Sequence, residues 1–300
     1  MATILVTGCS TGIGFATALA FGRAGHQVAA AMRNPTRAPD LASISAREAL
    51  PITVFTMDVD SDASVSAAVK SIEKDLGPID VLVNNAGIER MGAVEELPLA
   101  DFRAVMETNY FGVIRCIQAV VPGMRERRKG CIINVASVAG HVAVSPMASY
   151  TASKHALEAL SECLAQEVKP HGIRVAIVEP GIIDTAMSRH IGVVLEPSRY
   201  PQLRRVAALF STVLKQPTPP SLVAEKILEV ATNDSWQLRH LVGPDAAFFV
   251  GWRKGMCDEE WVNVGALDDA AWYDRIQADF GKMERVAEAL QIAYPRSQSR

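Results

Sequence analysis

Short runs of apolar and β-branched residues alternate along the chain with longer stretches whose apolar positions recur at helical spacing. The short runs predict strands at Thr3–Thr7, Gln27–Met32, Thr53–Asp58, Val81–Asn84, Cys131–Ala136, Arg174–Glu179 and Leu238–Val242. The longer stretches predict helices near Gly14–Ala24, Asp62–Leu76, Leu99–Arg127, Tyr150–Val168 and Ser221–Thr232. Within the strands the apolar residues run on without polar alternation, as in parallel strands covered on both faces. The βαβα succession therefore predicts an α/β fold: a doubly wound parallel sheet with helices on both faces and right-handed crossovers.

Residues 1–300 are read as a single domain, since no repeat or low-complexity tract divides them. The main break is Ser188 to Pro220, where prolines flank one amphipathic stretch, Gln202–Leu214. Beyond Gly243 the helical period weakens, and Trp236, Trp252, Trp261 and Trp272 fall in the last quarter of the chain. Residues 243–300 are read as extra helices packed on the core.

Composition narrows the function classes. Nearly half of the residues are apolar (49%), ample for a large core, and the net charge is −3, so no field favours nucleic acid or an anionic membrane. The histidines lack metal-ligand spacing and no Cys-x-x-Cys occurs, so no metal is expected. The five cysteines are odd in number and suit reduced thiols. The first residues enter a strand with no basic leader, and no apolar run approaches the length of a membrane span. A soluble cytoplasmic protein is expected.

Candidate chemistry centres on Tyr150 and Lys154 in Ser149-Tyr150-Thr151-Ala152-Ser153-Lys154. On a helix, residues four apart share one face, and an ammonium beside a phenol should lower its pKa and ready it for proton exchange. Upstream, the first strand runs into Thr7-Gly8-Cys9-Ser10-Thr11-Gly12-Ile13-Gly14 before a helix. Glycines there allow a tight turn and close approach of backbone to a pyrophosphate, which the free N–H groups at the helix start would hold. At the end of the second strand, where NAD-preferring folds place a carboxylate, the chain reads Ala31-Met32-Arg33-Asn34. Arg33 suits a ribose 2′-phosphate, which favours NADP(H) over NAD(H).

With these residues in place, the chain resembles the short-chain dehydrogenase/reductase family, in its single-domain branch with a Rossmann-type sheet. Gly8, Gly12 and Gly14, with Ser10, Thr11 and Ile13 between them, match that family's glycine-rich motif. Asp58-Val59 matches its adenine-contacting position, and Asn84-Asn85-Ala86-Gly87 its fourth-strand motif. Asn109, Ser137, Tyr150 and Lys154 match its catalytic tetrad, and Pro180-Gly181 with Ile183 and Thr185 the turn that meets the nicotinamide. The matches span residues 3 to 185, and Val242-Gly243-Pro244-Asp245-Ala246 looks like members acting on steroids and retinoids. The resemblance implies hydride transfer between nicotinamide and a carbonyl or alcohol carbon. Tyr150 would serve as general acid or base, Ser137 would steady the substrate oxygen, and Lys154 would hold the nicotinamide ribose. Asn109 would interrupt its helix and hold a relay water. It also implies a homodimer or homotetramer paired through the two long helices.

Residues 186–220, with Met187, Ile191, Val193, Val194 and Leu195, read as a substrate lid. Their apolar character points to a small apolar carbonyl or alcohol as substrate. Glu89 and His141 are read as surface or loop residues, Cys9 as structural, and the aromatic tail as core packing. A second function from another class is an NADP(H)-binding regulatory sensor on the same fold.

Overall fold

The computed structural model describes residues 1–193 and 197–281. Val194 and Leu195 of the expected lid, and the tail past residue 281, lie outside the described residues. Strands β1 (Thr3–Thr7), β2 (Gln27–Met32), β3 (Ile52–Thr56), β4 (Val81–Asn84), β5 (Gly130–Val135), β6 (Ile173–Pro180) and β7 (Arg239–Val242) form one sheet in the order β3-β2-β1-β4-β5-β6-β7. Every pairing is parallel, with Leu5 of β1 flanked by Ala29 of β2 and Leu82 of β4. The chain winds outward from β1 to β3, then returns to β4 on the other side. That reversal opens a crevice at the carboxyl ends of β1 and β4.

The helices are α1 (Gly12–Arg23), α2 (Pro39–Arg47), α3 (Asp62–Leu76), α4 (Leu99–Met106), α5 (Gly112–Arg127), α6 (Ala148–Val168), α7 (Ala186–Ile191), α8 (Gln202–Val213) and α9 (Pro220–Thr232). Three more close the tail: α10 (Ala246–Lys254), α11 (Asp258–Ala266) and α12 (Asp269–Phe280). Successive strand residues face opposite sides, and both sides are packed. Leu5, Leu82, Ile132 and Ile177 meet Val113 and Ile117 of α5 and Leu157 of α6. Ile4, Val6, Val83 and Ile133 meet Phe21 of α1 and Val223 and Ile227 of α9. This two-sided burial explains the unbroken apolar runs in the sequence.

Two details depart from the expected elements and one agrees with them. β3 ends at Thr56 rather than at residue 58, because the Asp58 amide bonds Ser64 Oγ in the first turn of α3 (2.9 Å) instead of extending the ladder. The helix expected across Leu99–Arg127 is interrupted by a π turn at Glu107–Phe111, centred on Asn109, as the resemblance implied. Helix α2 had no expectation at all; it spans only nine residues, begins at Pro39, and buries only Leu41 and Ser45.

A buried polar chain ties the strands that carry the site to α6. Asn84 Nδ2 donates to Asn134 Oδ1 (2.9 Å), and Asn134 Nδ2 donates to Ser161 Oγ (2.8 Å). Asn134→Ala would leave Asn84 Nδ2 without its acceptor in a dry interior, while Ser161 Oγ still donates to the Leu157 carbonyl (2.6 Å). Urea unfolding of that variant is expected to show a loss of about 1–3 kcal/mol; a loss below about 0.5 kcal/mol would mean the chain adds nothing to stability.

Candidate active site

The turn between β1 and α1 is held against the end of β4. Gly8 has φ +72, and a Cβ there would stand 2.8 Å from Ala86 Cα. One at Gly14 would stand 2.4 Å from the Gly8 carbonyl oxygen. Thr7 Oγ1 accepts from the amides of Asn85 and Ala86 (3.0 Å each), and Asn85 Nδ2 donates to the Thr7 carbonyl (2.8 Å). Thr11, the residue capping α1, makes no side-chain hydrogen bond to the helix, so the first-turn amides are not satisfied by it. They face a cavity of about 570 Å³ with positive dipole.

Of the expected cofactor residues, Gly8, Ser10, Thr11, Gly12, Ile13, Arg33, Asp58, Val59, Asn85, Ala86, Gly87, Tyr150, Lys154, Pro180, Gly181, Ile183 and Thr185 line this cavity. Gly14 lies behind it, where it lets α1 approach the turn. Arg33 is exposed at one end, just past β2, and Ser137 and Tyr150 stand at the other. This glycine cradle, the free helix start and the length of the cavity fit a dinucleotide. The expectation did not include Asp60 and Thr108, which also line it, with Thr108 Oγ1 donating to Asp60 Oδ2 (3.0 Å). Their adjacency to Val59 and Asn109 was the available signal.

Helix α6 begins two residues before Tyr150, which puts Tyr150 and Lys154 on one inward face. Lys154 is buried, donates from Nζ to the Val135 carbonyl (2.9 Å), and lies 5.6 Å from the centre of the Tyr150 ring. Burial pushes its pKa down to about 8, against the pull of Glu158 one turn further on. Burial of the ring, rather than the nearby ammonium, sets the direction of the phenol's shift here. Burial pushes Tyr150 up to about 12, outweighing the hydrogen bond from Ser137, and Glu89 adds to the rise. The ammonium spends its nearest hydrogen bond on backbone rather than on the phenol. Some of the Tyr150 side chain keeps accessible surface, but its polar end sits deep where two cavities meet.

Ser137 follows β5, accepts from the Ala139 amide (3.2 Å) and donates towards the Pro180 carbonyl (3.4 Å). Asn109 lines neither cavity. Its Oδ1 accepts from the Ile88 amide (2.8 Å), while Nδ2 donates to the Ile88 carbonyl and to Ser153 Oγ (2.9 Å each). It thereby pins the strand-four loop to α6 beside Tyr150. Asp245 Oδ2 accepts from the Ile182 amide (2.8 Å), so the Val242–Ala246 segment fixes the Pro180–Ile183 turn.

A second cavity of about 470 Å³ shares Ser137, Tyr150, Gly181, Met187 and Ser188 with the first. Its walls come from α7, α8 and the tail, and they include Trp252, Trp261 and Trp272. The tail aromatics, expected only as packing, thus also line a cavity. Glu89 and His141 lie in loops and line neither cavity, as expected, though neither is a surface residue. Glu89 is buried, and burial raises its pKa; His141 is half-buried, with Nε2 2.5 Å from the buried Glu179. His141, Glu179 and Glu158 cluster around Arg239, whose Nε is 3.0 Å from Glu158. Cys9 behaves as expected: it is buried, its thiol donates to the Val6 carbonyl (3.1 Å), and burial raises its pKa strongly.

The profile of the family described as short chain dehydrogenase matches residues 2–193. Oxidoreductase BOA17 of Botryotinia fuckeliana is 34% identical, over 85% of this chain and 95% of its own length. Retinol dehydrogenase 8 of Homo sapiens is 41% identical, over 61% of this chain and 59% of its own. The solved structure of a gluconate 5-dehydrogenase from Burkholderia cenocepacia, in complex with NADP and tartrate, is similar with a TM-score of 0.72. It is 27% identical and the match covers 82% of this chain and 95% of that one.

The buried ammonium has a consequence for stability. Lys154 titrates near 8 in the folded protein and near 10.5 when exposed, so between those values the unfolded chain binds more protons and stability climbs with pH. At pH 7 the charge costs about 3 kcal/mol. Lys154→Met is therefore expected to raise the unfolding midpoint at pH 7, with a gain that shrinks as pH rises from 8 towards 10.5. Denaturation at a series of pH values checks it; a pH-independent difference would refute the burial argument.

Proposed function

The chain belongs to the short-chain dehydrogenase/reductase family and is an NAD(P)-dependent oxidoreductase acting on CH–OH groups; from that premise we propose that it interconverts an apolar ketone or aldehyde with its alcohol, using NADP(H) in preference to NAD(H). The observation that carries this reading is the meeting of a glycine-cradled cavity and an apolar one at Ser137 and Tyr150. Bound nicotinamide would supply or accept the hydride at the substrate carbon.

The residues then divide the remaining work. Tyr150, with a pKa of about 12, is protonated at neutral pH and gives its proton to the carbonyl oxygen during reduction. In the reverse direction it takes that proton back. Ser137 turns its hydroxyl to the same oxygen and steadies charge as it grows there. The Lys154 ammonium, 5.6 Å from the ring centre, favours the phenolate that proton transfer leaves. Asn109, through Ile88 and Ser153, keeps α6 and the strand-four loop in register with this chemistry. Residues 1–300 act as a single domain in this reading. The free cysteines support a cytoplasmic setting, and no described helix is long and apolar enough to cross a membrane. Exposed Leu99 and Phe111 beside α4 and α5 support pairing into a homodimer or homotetramer.

Two experiments test the reading. Tyr150→Phe is expected to lower kcat by about 10²–10⁴ while NADPH binding persists, since a general acid contributes on that scale. Undiminished turnover would remove the mechanism, and absence of carbonyl turnover in the wild type would favour the regulatory sensor instead. For cofactor choice, Arg33 at the mouth supports a 2′-phosphate contact. Arg33→Ala is expected to weaken NADPH about tenfold and leave NADH nearly unchanged in direct binding titrations; an unaltered NADPH-to-NADH ratio would defeat the arginine argument.

A further inference from the structure

The tail helices that help close the second cavity lie beyond residue 193, where the match to the family profile ends. Trp272 of α12 is buried in a small core of its own with Val264 and Ile276, yet it also lines the cavity. Trp252, Trp261 and Phe280 line it too, and their rings pack edge to face: Trp252 lies 5.0 Å from Trp261 and 5.1 Å from Phe280. This wall is latched in two places. Trp261 Nε1 donates to the Ala143 carbonyl (3.0 Å), tying α11 to the loop that follows Ser137. On the opposite side Arg205 of α8, only 1% exposed, donates to Asp269 Oδ1 (2.7 Å) and to the Leu267 carbonyl (2.8 Å), with its guanidinium 5.5 Å from the Trp272 ring.

The charge pattern is as informative as the rings. Arg205 is the one formally charged side chain among the described residues lining this cavity, and Asp269 matches it. Among the described lining residues no unpaired cation awaits a carboxylate or phosphate, and no carboxylate awaits an ammonium. Burying an unpaired charge here would be opposed by desolvation. Each apolar methylene taken from water is favoured by about 0.8 kcal/mol, close to fourfold in affinity.

We infer that the tail is the specificity wall of this enzyme. It selects substrates whose non-reacting part is a long, uncharged, apolar body that extends from Ser137 and Tyr150 to the tryptophans. This deepens the reading of the site given above and rests on it for the position of the reacting carbon. The Arg205–Asp269 pair is a positioning device: it sets the start of α12 against α8 and so holds Trp272 in the wall.

The test uses the full chain with 2-butanone, 2-hexanone, 2-decanone and decanoate. Calorimetric titration of the NADP⁺-loaded protein reads binding, and initial rates with NADPH read turnover. Affinity and kcat/KM are expected to rise about fourfold per methylene along the ketones until the cavity is filled, with decanoate binding at least about 100-fold more weakly than 2-decanone. Leu209→Trp, which fills the cavity from α8, and Trp261→Ala, which cuts one latch, should each lower the decanone-to-butanone ratio at least about tenfold. Retained NADPH affinity checks that the variants are folded. Equal values along the ketone series, decanoate binding as tight as 2-decanone, or an unchanged ratio in both variants would overturn the proposal. Graded ketone binding with no turnover of any ketone would remove the proposed reaction and leave the wall standing.

Discussion

Where β1 and β4 leave the sheet, Thr7 and Asn85 join the two chain segments through backbone and side chain together. The threonine hydroxyl receives two amides, and the asparagine amide reaches the carbonyls of Thr7 and Gly8. A parallel pair has no hairpin to hold its ends together, so without these bonds the crevice could splay. They fix the distance between the phosphate-type turn and the loop that Asn109 then fastens to α6. The phenol and ammonium of α6 thus inherit their place from a contact made at the far side of the same crevice.

Burial acts on that pair in opposite senses. The neutral phenol and the neutral amine are both favoured, so Tyr150 shifts upward and Lys154 downward. A helix-spacing argument sees two groups on one face but not how much water remains around them. Spacing therefore placed the pair on one face without weighing burial against the nearby ammonium. What raises the tyrosine is burial of the ring, with Glu89 adding to it, and both are products of tertiary structure.

The same distinction explains what was legible in the chain. The strands were readable because two-sided burial writes continuous apolar runs, and the turn after β1 was readable because glycine spacing reports backbone geometry. Residues such as Arg33, Asp58 and Thr185 were then placed by their order along that frame. Helix α2, nine residues long with two of them buried, was too short a run to stand out. Glu89 and His141 were rightly placed in loops, but their burial was not legible, because charge in a sequence signals water, whereas here Glu89 is enclosed and His141 is paired with buried Glu179. The tryptophans of the tail were visible as a cluster, but whether an aromatic ring packs inward or faces a void depends on the curvature of its surroundings. That information is absent from local pattern.

The Trp261 to Ala143 bond places a mechanical link between the outermost helices and the segment that begins at the serine of the site. Any outward swing of α11 must break that bond, so the outer helices and the stretch after Ser137 are coupled in their motion rather than free to breathe independently.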